Sequence, residues 1–69
     1  MDINEAIRAA AEAPSPAAKV YARAAMAAAV EYGTEGLRVQ VLYLLGNLQT
    51  WRGERAREAK AVLREYANR

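Results

Sequence analysis

At 69 residues and 7.6 kDa the chain makes a single domain, 1–69; at 54% hydrophobic it should fold, yet 17 of those residues are alanine and only 20 are large enough to fill a core. The absence of cysteine and histidine excludes disulfides and argues against a structural zinc site, which leaves oligomerisation or unusually ideal helix packing to support a chain below about 70–80 residues. Ten Lys and Arg, eight of them Arg, stand against eight Asp and Glu for a net charge of +2, too small an excess to select a partner.

The first helix is expected to start at Asp2, whose carboxylate can cap it, with Ile3, Ala6, Ile7 and Ala10 on one face and Glu5, Arg8 and Glu12 opposite. Pro14-Ser15-Pro16 is the strongest punctuation in the chain. Pro14 ends the first helix near Ala13, Ser15 can cap the second, and Pro16 suits its first turn. The second helix, 16–32, is mostly alanine. Tyr21, Ala25, Ala28 and Tyr32 fall on one line of it, Ala22 and Ala29 lie beside them, and Lys19, Arg23 and Glu31 take the far side. Small faces of this kind let helices approach closely; the tyrosines and capping signals around the run AAMAAAV argue against a low-complexity disordered tract.

Gly33-Thr34-Glu35-Gly36 reads as a turn, Gly33 being suited to a left-handed helix stop. The third helix is expected over 35–49, about 22 Å at helical rise. Leu37, Val41, Leu44, Leu45 and Leu48 form a core stripe that continues into Trp51, and nearly opposite lie Val39, Leu42, Tyr43 and Gly46. A helix with two apolar faces has to be covered twice, and three other short helices cover only one. Thr50 is the expected cap of a fourth helix over 51–67, with Ala56, Ala59, Val62, Leu63 and Tyr66 facing the core. No apolar run reaches the about 18 residues of a membrane-spanning helix, and the start lacks the basic-then-apolar order of a signal peptide, so the expected compartment is the cytoplasm, with no membrane partner.

The inventory for catalysis is poor: no His or Cys, one Ser in a proline corner, two Thr at caps and no Gly-rich phosphate loop after a strand. The Glu54 and Glu58 pair, one helical turn apart, reads as a solvated face rather than an acid/base pair. No catalytic residue, metal ligand or cofactor is assigned. On the fourth helix Arg57, Lys60 and Arg64 share one stripe and Glu54, Glu58 and Glu65 another, a segregation that a helix selected for stability alone would interleave. It fits a partner helix of complementary stripes, a basic face for phosphate or an acidic protein, or an unselected solvated surface. The segment 47–55 gathers the lone Trp51 with Arg52 and Arg55. Trp51 either plugs the end of a helical bundle or, one helical turn from Arg55, offers an indole and guanidinium pair to a nucleotide.

The third and fourth helices also resemble a helix-turn-helix, with 50–64 as the recognition helix. Its turn is not the compact Gly-centred kind, Trp51 and Gly53 read bases poorly, and the acidic stripe would face phosphates. The run VLYLLGNLQTWRG at 41–53, followed by AREAK at 56–60, resembles small uncharacterised helical proteins encoded by phages and plasmids. The resemblance covers about the last half of the chain and carries no activity; it implies a mobile-element setting in which such proteins bind host machinery or sequester a small ligand.

The expectation is an all-α, compact bundle of four short helices, the third central, completed by homodimerisation through Val39, Leu42, Tyr43 and Gly46. The function expected is a non-enzymatic, self-associating protein-interaction module. The alternative is nucleotide or nucleic-acid binding through Trp51, Arg52, Arg55, Arg57, Lys60 and Arg64.

Overall fold

A computed structural model describes all 69 residues. It contains four helices and no strand: α1 (Ile3–Ala10), α2 (Pro16–Glu31), α3 (Gly33–Leu45) and α4 (Glu54–Ala67). Each helix packs on its neighbours in the chain and α4 returns against α1, so the four close a ring around one core. The radius of gyration is 10.5 Å, against about 11 Å for a compact chain of this length.

Asp2 caps α1 as its position suggests, its carboxylate accepting the Glu5 amide at 2.8 Å. The helix ends at Ala10 rather than near Ala13. Residues 11–13 tighten into i to i−3 hydrogen bonds, Ala11 to Arg8, Glu12 to Ala9 and Ala13 to Ala10, because Pro14 disfavours helical backbone in the residue before it. Ser15 occupies the N-cap of α2, but its side chain makes no capping bond there.

The core is built in two textures. Ile7, Val41, Leu44, Leu48 and Leu63 are its largest fully buried side chains, joined by Leu37, Trp51 and Tyr66. Alanine supplies the rest, and α2 contributes nothing else: its buried residues are Ala18, Ala22, Ala25 and Ala28. A methyl face brings the α2 backbone close to its neighbours, and no buried side-chain polar atom lacks a partner. Of the line Tyr21, Ala25, Ala28 and Tyr32, only the alanines are buried: Tyr21 is half-buried and Tyr32 is 72% exposed.

The α2–α3 hairpin is tighter than the four-residue turn expected. Only Tyr32 separates the helices, and Gly33, at φ +70°, reverses the chain and opens α3 two residues earlier than Glu35. Gly36 is then a contact residue: a Cβ there would collide with the Tyr32 Cβ. At its other end α3 stops at Leu45, short of the expected Gln49. Gly46 caps it, the Asn47 side-chain amide donates back to the Tyr43 carbonyl at 2.9 Å, and Leu48 and Trp51 turn inward from the connector 46–53 to fill the core. Thr50 is consequently not a cap. Gly53 is, at φ +113°, and α4 begins at Glu54 rather than Trp51.

Candidate functional site

Two regions carry the residues singled out in the sequence. The first is an open groove of about 420 Å³ where the connector meets the start of α4, lined by Gln49, Trp51, Arg52, Gly53, Arg57 and Lys60. The Lys60 ammonium reaches across it to the Trp51 carbonyl. That contact is with a neutral oxygen, so the charge of Lys60 is left uncompensated. Neither Arg52 nor Arg57 has a carboxylate within ion-pair distance, and no carboxylate lines the groove. Trp51 forms one wall, but only 8% of it is exposed and it belongs to the core cluster.

Four of the six candidate ligand-binding residues therefore meet in one place, and two do not. Arg55 points the other way, to the α1–α2 corner. Its Nε donates to Glu12 Oε1 at 3.1 Å and its Nη2 to Oε2 at 3.0 Å. Those hydrogen bonds and the carboxylate charge push the Arg55 guanidinium further above its already high pKa. The indole–guanidinium pair expected from a one-turn spacing is not formed, because Gly53 breaks the helix between Trp51 and Arg55. The cation–π contact present is instead Arg69 over Tyr66, 5.4 Å from the ring centroid. Arg64 lies one turn beyond Lys60 along α4 and takes no part in lining the groove.

The acidic stripe of α4 is largely occupied. Glu58 lies 3.6 Å from the N-terminal ammonium and Glu65 3.3 Å from Arg69. No three carboxylates gather closely enough to hold a metal ion. The connector 46–53 spans eight residues, longer than the three or four that join the helices of a helix-turn-helix.

The second region is the outer face of α3. Val39, Leu42 and Tyr43 are 44%, 51% and 55% exposed, and Gly46 is exposed beside them. The earlier start of α3 extends this face in a way the sequence did not suggest. Gly36, Val39, Tyr43 and Gly46 follow a 3-4-3 spacing, the period of a seam between helices, and the exposed Tyr32 lies against Gly36 at its start. Tyr43 also stacks on Tyr21 of α2, centroids 5.8 Å apart, which carries the apolar face across to α2. On the outside of α2, Val20, Met26 and Val30 are exposed as well; their positions among Lys19, Arg23 and Glu31 were the signal for this. No helix is long and apolar enough to cross a membrane.

No protein-family model, curated protein or solved structure matches this chain.

Proposed function

We propose that the protein is a non-enzymatic interaction module that works as a homodimer, two copies meeting through the outer face of α3. The observation that carries this reading is the exposed strip of Val39, Leu42 and Tyr43, an apolar stripe on a helix whose opposite side already buries Leu37, Val41 and Leu44. A chain this poor in large core residues gains most from covering such a strip.

Area sharpens the proposal. A standard interface removes about 800 Å² from each partner, close to a fifth of the 4443 Å² this chain exposes. Val39, Leu42, Tyr43 and Gly46 are too few for that, so the interface draws in Tyr32 at one end and, over the Tyr21–Tyr43 stack, the flank of α2. A two-fold axis across α3 makes the seam isologous, each residue meeting its counterpart's neighbours. The resemblance to phage and plasmid proteins supplies the setting within this proposal: an accessory protein that acts on host machinery in the cytoplasm.

Light scattering at tens of micromolar tests it. The expected mass is twice the 7.6 kDa of the chain. A strict monomer overturns the reading, and so does a dimer that survives Gly46→Leu. That variant probes the seam because Gly46 is exposed and a Cβ there meets its nearest neighbour, the Tyr43 carbonyl oxygen, at an ordinary 3.5 Å; circular dichroism of the variant checks that the subunit keeps its fold.

A further inference from the structure

We infer that the groove between the connector and α4 is a binding site for the di- or triphosphate group of a small ligand. Three cationic side chains, Arg52, Arg57 and Lys60, converge on it with the amide of Gln49 and without a single carboxylate. No carboxylate lies within ion-pair distance of any of the three: Glu58 faces the N-terminal ammonium, and Glu54, next to Gly53 in sequence, neither lines the groove nor pairs with a cation. Elsewhere Arg38 pairs with Glu35, Arg55 with Glu12 and Arg69 with Glu65, while Arg8, Arg23 and Arg64 also lack a carboxylate; what sets Arg52 and Arg57 apart is that they share one groove with a third cation.

The backbone adds to the same field. Glu54, Arg55 and Ala56 open α4 with amides that have no acceptor in the chain, since Gly53 has no side chain to cap them and the first helical bond is made by Arg57 to the Gly53 carbonyl. Above Gly53 the space is open, with nothing within 4 Å of a Cβ position, so an oxyanion can come close to the main chain.

Shape and burial choose among phosphate-bearing ligands. The groove's volume of about 420 Å³ falls at the small end of small-molecule sites. With 8% exposure, Trp51 offers no face on which bases of a strand could stack, and a net charge of +2 is weak for tracking a polyanion. A compact, highly charged group on two guanidiniums and an ammonium is what remains.

Inorganic pyrophosphate is the probe, followed at low ionic strength by the emission of Trp51, the single tryptophan of the chain, and by the amide resonances of Gly53, Glu54 and Arg55. Saturable binding that shifts these signals is expected. Arg52→Gln with Arg57→Gln should weaken it by about tenfold or more, while Arg23→Gln on the far side of α2 leaves it unchanged. Both substituted arginines are exposed, so the fold is retained and far-ultraviolet circular dichroism checks that. Absence of saturable binding at millimolar pyrophosphate overturns the assignment, as does binding indifferent to the double substitution. Sulfate binding as tightly as pyrophosphate reduces the groove to a general anion patch and also overturns it. A single-stranded oligonucleotide binding more tightly than pyrophosphate overturns it in favour of a nucleic-acid interface. The site shares no residue with the α3 seam, so binding should persist in Gly46→Leu whatever its oligomeric state.

Discussion

At the scale of single residues, two kinds of position set local structure: glycines with positive φ and one carboxylate cap. Gly53 stands at φ +113° and ψ 174°, a region that side chains other than hydrogen scarcely enter, so Gly53→Ala is expected to cost about 1–3 kcal/mol although open space surrounds the Cβ. Urea unfolding measures it, and an unchanged midpoint would show that the connector relaxes to another path. Asp2 gives a pH prediction. The Glu5 amide, donating to its carboxylate, lowers its pKa below the usual value, with the nearby Arg8 charge a smaller contribution. A depressed folded-state pKa means the cap's stabilisation is fully present above the unfolded value of about 3.9 and is lost as pH falls through the folded one. Asp2→Asn keeps an oxygen acceptor and removes the titration. Its melting temperature should therefore fall less than the wild type's between neutral pH and pH 3; equal falls would place the acid sensitivity elsewhere.

At the scale of elements, α2 and α3 have opposite characters. Because α2 buries only methyl groups, its packing distance is set by backbone and tolerates no extra volume. Ala25→Leu, at a fully buried position, is expected to destabilise by about 1–3 kcal/mol through overpacking, whereas Val30→Ala, at 87% exposure, should stay within about 0.5 kcal/mol in a monomer. Thermal melts of the two variants decide it, and a neutral Ala25→Leu would mean that α2 can move outward. Helix α3 fills the core with leucine and valine instead, and Leu44→Ala should cost about 2–5 kcal/mol, a large share of the stability of so small a domain. The Glu12–Arg55 pair that ties the α1–α2 corner to the first turn of α4 is exposed on both sides, so its role is alignment rather than strength.

For the whole molecule, the ring of four helices leaves its chemistry on two separate surfaces: an apolar strip on α3 and a cationic groove at the start of α4. If the strip is a dimer seam, folding and association are linked and the melting temperature rises with protein concentration. A concentration-independent melt over a hundredfold range would point to a self-sufficient monomer. The groove makes the complementary expectation that melting temperature rises with pyrophosphate and not with added salt.

What the sequence determined by itself is local. The four helices, the Asp2 cap, the proline corner and the buried Leu37, Val41 and Leu44 of the α3 stripe follow from 3.6-residue periodicity and from residues acting on neighbours a turn away; of the rest of that stripe Leu45 is only partly buried, and Leu48 and Trp51 are buried from the connector. Both stripes of α3 were legible for the same reason. Tertiary structure decided where helices stop and which charges are free. Helix α3 ends at the Gly46 cap, the connector carries Leu48 and Trp51 into the core, and α4 begins at Glu54 behind the Gly53 cap, where the groove opens. Arg55 leaves the candidate set because its partner, Glu12, is 43 residues away. Periodicity cannot reach that far: pairing at such a distance is set by how whole helices pack, and only the closed ring brings the corner before α2 against the first turn of α4.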